Sequence, residues 1–176
     1  VECARRAGAT VVGLVGSSPD RARAKATAWG VPVVYSDLEE LLEQPDIDVI
    51  HIASPNHVHA SQAIAVANAG KHVICEKPMA LDSASAGAMV DAAQAAGVVH
   101  ATCFNFRFYP LMHEAHAMML SGELGEPRLL TGSYHQDWLF EDTDWNWRLD
   151  SERAGDLRSV ADIGSHWLDL MSWISG

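Results

Sequence analysis

Two groups of ionisable residues in this sequence have the types and spacing needed for proton chemistry. The apolar segment KHVIC, residues 71–75, ends on Glu76 and Lys77, and Pro78 follows. A lysine ammonium can stabilise an alkoxide or polarise a carbonyl. Pro78 fixes the local backbone and so would aim the neighbouring lysine. A salt bridge at the end of a strand is the plain alternative, and this segment alone does not decide between the two.

The second group lies in the segment ADIGSHWLDLMSWIS, residues 161–175. Asp162, His166 and Asp169 stand at i, i+4 and i+7, which places them on one face of a predicted helix. An imidazole one turn from a carboxylate is oriented by it and kept basic, as a general acid/base requires. From this motif alone, a surface Asp–His pair is the favoured interpretation. The apolar residues of the same helix form a separate stripe, predicted to be core: Ile163, Trp167, Leu170, Met171 and Ile174.

The segment SPNHVHA, residues 54–60, combines a helix start with polar side chains. Ser54 and Pro55 predict the N-cap and first turn of a helix. The free N–H groups and the positive dipole end there favour an anionic ligand, and Asn56 can hydrogen-bond a ribose or an amide. His57 and His59 have the spacing of a metal pair, but no carboxylate or cysteine follows at ligand spacing. We therefore predict solvated histidines and no metal site.

The elements around these groups alternate between strand and helix every twenty to twenty-five residues over residues 1–103. The predicted strands, such as TVVGLV and IDVIHIA, are continuously apolar, as a parallel sheet covered on both faces requires. We predict an α/β fold with a Rossmann-type, doubly wound parallel sheet. Ligands of such sheets bind at the carboxyl ends of the strands, where Ser54 and Lys77 stand.

The tip of the first predicted strand bears on the choice of cofactor. Dinucleotide-binding folds place an acid there to hold the ribose 2′-hydroxyl, whereas this sequence reads Gly16-Ser17-Ser18-Pro19-Asp20-Arg21, with Asp20 already in the next helix. Ser17, Ser18 and Arg21 would suit a 2′-phosphate. No G-x-G-x-x-G turn is present, and we expect it just upstream of Val1.

From residue 104 onward the pattern changes, and residues 104–176 predict the start of an α+β substrate domain. A helix is expected from Pro110, a long strand over PRLLTGSYHQDW, and an ordered loop over residues 137–158. We interpret the chain as a fragment at both ends. Because it would lack one central strand, we expect the isolated piece to be poorly soluble.

Composition excludes several classes of protein. The chain carries a net charge of -11, with 48% hydrophobic and 20% charged residues. That charge argues against a nucleic-acid partner and an anionic membrane surface, and no apolar run has the length of a membrane span. The three cysteines lack metal-like spacing, and we expect Cys75 and Cys103 to be buried thiols. The nine histidines are too poorly spaced to predict a metal-dependent hydrolase.

Five segments in order make the sequence resemble the Gfo/Idh/MocA family of nicotinamide-dependent oxidoreductases. They are SPNHVHA (54–60), EKP (76–78), FNFRFYP (104–110), WNWR (145–148) and DIGSHWLD (162–169). EKP alone is a weak signal, but the ordered set covers essentially the whole chain. The resemblance implies hydride transfer between NAD or NADP, with NADP favoured by the strand tip, and a hydroxyl or carbonyl of a sugar or polyol.

The resemblance also implies roles for individual residues. Lys77 would bind the reacting hydroxyl, His166 would be the acid/base and Asp162 would bind substrate. Glu76 would contact the nicotinamide ribose. The remaining cofactor-lining positions implied are Ser54, Pro55, Asn56, His59, Trp147 and Arg148. The glycine run that many members have before the catalytic Asp is replaced here by residues 154–158, AGDLR.

Two other functions on the same fold stay open at this stage. A non-catalytic NAD(P)-binding regulator would not need Lys77, Asp162 and His166 together. An NAD-dependent glycosidase would use extra histidines, for which His135 and the segment 113–116 are the candidates. We further expect a cytoplasmic protein and a homo-oligomer formed through the C-terminal sheet, with a small-molecule substrate as the main partner.

Overall fold

Helices and short strands alternate along the chain in the computed structural model, which describes all of residues 1–176. The strands are β1 (Gly13–Val15), β2 (Val33–Tyr35), β3 (Val49–Ile52), β4 (His72–Cys75) and β5 (His100–Thr102). The helices are α1 (Glu2–Arg6), α2 (Pro19–Trp29), α3 (Leu38–Leu42), α4 (His59–Asn68), α5 (Ser83–Ala96), α6 (Pro110–Leu120), α7 (Ser151–Ala154) and α8 (Ser165–Ser175). Three 3₁₀ turns (Asn56–Val58, Asn105–Phe108 and Trp147–Leu149) and a π-helical turn (Val160–Gly164) complete the structure.

All strand pairs are parallel, as the continuous apolar runs predicted. The strands form two sheets, β1-β2 and β3-β4-β5, and no ladder joins β1 to β3. The strand order of a dinucleotide-binding fold has one further strand between these two positions. Val12 and Val15 nevertheless pack against the core cluster that contains Ile50 and Ile52, so both sheets share one apolar interior.

Side-chain caps set the starts of the helices that follow the strands. Ser18 caps α2, with Pro19 in its first turn, and Asp37 caps α3. Asp82 caps α5 in the same way by accepting a hydrogen bond from the backbone of Ser85. Gly16, at the tip of β1, touches α2 so closely that a Cβ there would lie 2.8 Å from the Cβ of Ala22. These contacts fix α2 against the strand tip.

The core lies between the sheet β3-β4-β5 and the helices α4 and α5. Its buried residues are Leu41, Ile47, Ile50, Ile52, Ala63, Val66, Ala67, Val73, Cys75, Met89 and Ala93. Burial raises the pKa of the Cys75 thiol to about 12, which keeps it an inert core side chain. Cys103 is only partly buried, so the predicted burial of both thiols is confirmed for Cys75 alone.

Two predictions for residues 104–176 are wrong. The segment 127–138, predicted as a long strand, has no strand assigned to it and pairs with no other strand. A lone extended segment has no ladder partner to satisfy its N–H and C=O groups. The apolar stripe of α8 packs on α6, but no α8 residue is buried, so it is a half-covered face and not a core.

None of the helices is both long enough and apolar enough to span a bilayer.

Candidate active site

Lys77 lies at the carboxyl end of β4 and points towards the second half of the chain. Its Nζ donates hydrogen bonds to the backbone carbonyl of Asp162 at 2.5 Å and to Asp162 Oδ1 at 2.7 Å. The side chains of Lys77 and Asp162 are only 12% and 16% exposed. A lysine ammonium has three N–H donors, so one remains for a further oxygen. The structure thus brings together two predicted residues that are 85 positions apart.

Arg148 binds the same carboxylate and joins the predicted Trp–Arg pair to it. Its Nε donates to Asp162 Oδ1 at 3.1 Å. Its guanidinium lies over the ring of Trp147 at 4.5 Å and near that of Trp138 at 5.8 Å. Asp162 therefore holds two cations, and the stacked indole fixes the plane of one of them.

His166 stands near this ion pair but does not bond to Asp162, contrary to the pairing suggested by the i, i+4 spacing. The turn Val160–Gly164 is π-helical, so the segment departs from the regular helix that the spacing argument assumed. Asp162 instead faces two cations, Lys77 and Arg148, which are stronger partners for a carboxylate than a neutral imidazole. The ring of His166 is oriented by aromatic neighbours, since it stacks on Phe106 at 4.5 Å and meets the edge of Phe104 at 5.9 Å.

The environment of His166 lowers its pKa below the ordinary 6.5. Burial is the largest cause, and the positive charge of Lys77 acts in the same direction. The carboxylates of Asp162, Asp169 and Glu76 oppose the shift without reversing it. Nδ1 of His166 is buried and has no hydrogen-bond partner. The ring is therefore neutral at pH 7 and able to accept a proton.

Asp169 is not part of this group, although the sequence placed it on the same helix face. Arg107 binds it through both Nε, at 2.7 Å from Oδ2, and Nη2. This two-point ion pair ties the Asn105–Phe108 turn to α8. Asp169 therefore positions the aromatic turn that carries Phe106, on which His166 stacks.

Glu76 turns away from its neighbour Lys77 and towards β3. Its Oε1 lies 3.4 Å from Nε2 of His51. The hydrogen bond from His51 lowers the pKa of Glu76, although burial opposes the shift. Glu76 and Lys77 form no salt bridge with each other, and the strand-end salt bridge of Lys77 is with Asp162.

The SPN turn after β3 differs in detail from the prediction. Ser54 does not cap a helix: Pro55 precedes the 3₁₀ turn Asn56–Val58, and the Ser54 hydroxyl donates to Gln62 Oε1 at 2.6 Å. Asn56 is 7% exposed, and its Nδ2 donates to the backbone carbonyl of Ala154 at 3.2 Å. The turn therefore links the first half of the chain to α7.

His59 lies behind the cleft and not on its surface, so the predicted solvated histidine is wrong at this position. The side chain is 0% exposed. Nδ1 lies 2.8 Å from the carbonyl oxygen of Pro78, and Nε2 lies 2.8 Å from that of Ser54. Both ring nitrogens are thus occupied by backbone, which leaves none to contact a cofactor directly. His59 connects the SPN turn to the loop that carries Lys77.

The polar residues predicted to bind the cofactor lie at the solvent-accessible tip of β1. Ser17 and Arg21 are exposed, whereas the hydroxyl of Ser18 accepts a hydrogen bond from the backbone of Arg21 at 3.4 Å. Asp20 pairs with Arg23 at 2.7 Å. The guanidinium of Arg21 has no carboxylate partner, so it is a free cation at the strand tip.

Sequence reasoning missed the aromatic setting of His166 and the bridging role of His59. Within the FNFRFYP segment, Phe104 and Phe106 make the contacts to His166. His59 shares a helical stripe with Ala63 and Val66, at i+4 and i+7, and that apolar spacing was the available signal for an inward-facing side chain at position 59.

Comparison with known protein families places both halves of the chain in one family. Residues 3–104 match the oxidoreductase family with an NAD-binding Rossmann fold, GFO_IDH_MocA. Residues 112–176 match the GFO/IDH/MocA C-terminal domain.

Individual relatives are sugar oxidoreductases by name. The chain is 36% identical over 161 residues to levoglucosan dehydrogenase of Pseudarthrobacter phenanthrenivorans, covering 91% of this chain and 41% of that protein. It is 35% identical to D-xylose 1-dehydrogenase (NADP(+)) 2 of Haloferax volcanii, covering 85% of this chain and 45% of that protein. A solved structure of levoglucosan dehydrogenase in complex with NADH and L-sorbose superposes with a TM-score of 0.87 at 35% identity, covering 95% of this chain and 44% of that one.

The chain spans less than half the length of these relatives. Family matches to both halves, together with the converging Lys77, Asp162 and His166, confirm the resemblance deduced from the five segments. The chain belongs to the GFO/IDH/MocA oxidoreductase family, with a Rossmann-type nucleotide-binding fold in its first half.

Proposed function

We propose that the intact protein transfers a hydride between NADP or NAD and a CH–OH or carbonyl group of a sugar or polyol. The observation that carries this proposal is the bond between Lys77 and Asp162. It places an ammonium with one unused donor beside a neutral histidine, at the carboxyl end of a parallel strand.

Lys77 is the residue that holds the reacting oxygen. Its free N–H donates to the hydroxyl of the substrate, and its charge stabilises the alkoxide character that develops as the proton leaves. Asp162 fixes the direction of that N–H by binding the other two donors through its carboxylate and its carbonyl. Arg148 prevents the carboxylate from turning, because it binds the same oxygen from another side.

His166 moves the proton. Its lowered pKa keeps it neutral at pH 7, so it takes the proton of the hydroxyl during oxidation and returns it during carbonyl reduction. Phe106 holds the ring in place by stacking, in the role that the sequence assigned to Asp162. A bound nicotinamide supplies the hydride acceptor or donor for this chemistry.

The residues at the strand ends fit a nicotinamide dinucleotide. The tip of β1 is open, with the exposed Ser17 and the unpaired cation of Arg21 beside the start of α2. Ser54 and Glu76 stand at the ends of β3 and β4, where this class of sheet binds its ligand. Trp147 and Arg148 lie next to Asp162 and would border the nicotinamide end. His59 supports the cleft from behind.

We favour NADP over NAD on the basis of charge at the tip of β1. No acid ends that strand, and the carboxylate of Asp20 is engaged by Arg23. The guanidinium of Arg21 suits the 2′-phosphate that distinguishes NADP.

The first experiment measures nicotinamide absorbance during turnover of the intact protein with NAD and NADP, separately, against sugars and inositols. We expect turnover with at least one sugar, and a lower KM for NADP. Arg21→Ala should raise the KM for NADP at least about tenfold, as loss of a charge-assisted hydrogen bond does, and leave NAD unaffected. Arg23→Ala is the matched control, since this neighbouring arginine already pairs with Asp20.

The absence of turnover with every sugar, while a cofactor still binds, would contradict the proposal and favour a regulatory NAD(P)-binding role. The glycosidase alternative receives no support from the histidines on which it depended. His113 and His116 pack against Trp173, at 5.2 and 4.2 Å, and His135 is exposed.

The pH dependence of turnover follows from the lowered pKa of His166. A protonated ring cannot accept the hydroxyl proton, so kcat/KM for oxidation should fall as pH drops below the folded-state pKa, which is less than 6.5. Above that pKa the profile should level off, and carbonyl reduction should show the opposite slope.

The check is a pH profile of sugar oxidation for the wild type and for His166→Asn, which should lose the acid limb together with most of its activity. His57→Asn, at an exposed position, serves as the control and should keep the limb. An unchanged acid limb in His166→Asn would assign the proton transfer to another group.

A further inference from the structure

Three side chains of different chemistry meet on one face of the sheet β3-β4-β5. His51 lies in β3, Glu76 directly follows β4 and Cys103 directly follows β5. Register and alternation bring them together, because Ile52 pairs with Cys75, and Cys75 pairs with Thr102. Side chains alternate between the two faces of a strand. The core-facing Ile52 and Cys75 therefore leave the neighbouring His51, Glu76 and Cys103 on the opposite face.

Their donor atoms lie within 4.8 Å of one another. Nε2 of His51 is 3.4 Å from Oε1 of Glu76 and 3.6 Å from Sγ of Cys103. The first distance is longer than the roughly 2.7–3.2 Å of an ordinary N–H···O hydrogen bond. The hydrogen bond from His51 to Glu76 is therefore a long one, and Cys103 Sγ lies within hydrogen-bonding distance of the same nitrogen.

Both distances agree with those that a tetrahedral zinc ion imposes on its ligands. Zinc binds nitrogen and oxygen at about 2.0–2.2 Å and thiolate sulfur at about 2.3 Å, so tetrahedral angles separate N from O by about 3.4 Å and N from S by about 3.6 Å. The side chains of His51 and Glu76 are 50% and 41% exposed, which leaves an approach from solvent. Imidazole, thiolate and carboxylate together are typical of zinc and not of magnesium or calcium.

We propose that His51, Glu76 and Cys103 form a zinc-binding site with an open fourth position. Binding replaces the proton of the Cys103 thiol by the metal, and that proton passes to the buffer. A bound zinc ion engages the carboxylate of Glu76, which stands next to Lys77, so that this carboxylate is no longer available to a cofactor in the cleft. This consequence rests on the proposed function: zinc bound here competes with the nicotinamide cofactor and inhibits turnover.

The test titrates Co²⁺ into the metal-free intact protein and follows the near-ultraviolet charge-transfer band of a cobalt thiolate. We expect the band in the wild type, its displacement by Zn²⁺, and its loss in Cys103→Ser. Cys3→Ser is the matched control and should keep the band, because Cys3 is an exposed thiol outside the cluster. His51→Ala should weaken zinc binding by more than about 100-fold, beyond the usual effect of a residue that only supports a ligand.

Absence of the band in the wild type, or its persistence in Cys103→Ser, would overturn the site. Inhibition is measured separately, as the effect of Zn²⁺ on the KM for the cofactor. Zinc inhibition that survives in Cys103→Ser would place the inhibitory ion elsewhere. It would refute the proposal that zinc at this site competes with the cofactor. A positive cobalt result without any dehydrogenase turnover would leave the metal site standing and refute the proposed function alone.

Discussion

Lys77→Met is expected to lower kcat for sugar oxidation by about 10²–10³-fold or more, as removal of a preorganised charge at a developing oxyanion does. Methionine keeps an unbranched apolar side chain of similar length but cannot donate a hydrogen bond. The substrate oxygen then loses its donor, and Asp162 keeps only Arg148 as a cationic partner. Because Arg148 remains, the carboxylate is not orphaned, and we expect the loss of stability to stay near 1–3 kcal/mol, about the cost of one lost charged bond.

The matched control is Lys25→Met. Lys25 lies over the ring of Trp29 on the outer helix α2, away from the cleft, so its replacement should leave kcat unchanged. Steady-state turnover of the three proteins is measured at saturating cofactor, with thermal unfolding in parallel to confirm that each is folded. A folded Lys77→Met protein with near wild-type kcat would exclude Lys77 from the reaction.

The same variant provides a second readout, which a purely structural lysine would not change. Lys77 is one of the causes of the lowered pKa of His166. Removing its charge should therefore move that pKa upward, and the shift can be followed by NMR of the imidazole protons, assigned with His166→Asn. Lys25→Met should leave the His166 titration in place.

His59→Phe is expected to reduce the free energy of unfolding by about 2–4 kcal/mol, because a buried backbone carbonyl loses its N–H donor and both polar contacts of the ring disappear. The side chain is 0% exposed, and its nitrogens lie 2.8 Å from the carbonyl oxygens of Pro78 and Ser54. Phenylalanine has a similar ring but no donor, so the change isolates the polar contribution from the loss of volume.

Denaturant unfolding of the intact protein measures this effect. His57→Phe, at an exposed position two residues away, is the control and should change stability by no more than about 0.5 kcal/mol. Since the carbonyl of Pro78 belongs to the loop of Lys77, His59→Phe should also reduce kcat in the fraction that remains folded. Stability within about 0.5 kcal/mol of wild type, the range of surface substitutions, would show that these backbone carbonyls do not depend on His59 for a donor.

Local chemistry was enough to predict the parallel α/β architecture of the first half. Continuous apolar runs need burial on both faces, as a parallel sheet covered by helices provides. The candidates Lys77, Asp162 and His166 were also identified from the sequence, through the resemblance of five ordered segments to one family, and the family matches confirm that resemblance.

Only the tertiary structure decided how those residues pair. The i, i+4 spacing suggested an Asp162–His166 pair, whereas the fold delivers Lys77 from 85 positions away to the carboxylate, and the π-helical turn departs from the assumed helix. The predicted strand over residues 127–138 failed for a related reason: a strand needs a partner, and nothing in its own residues shows whether one is present. His51, Glu76 and Cys103 have no motif spacing, and they meet because three parallel strands end at one edge of a sheet. Contacts within a turn of helix are determined by neighbouring residues, whereas contacts across a fold depend on how distant elements pack.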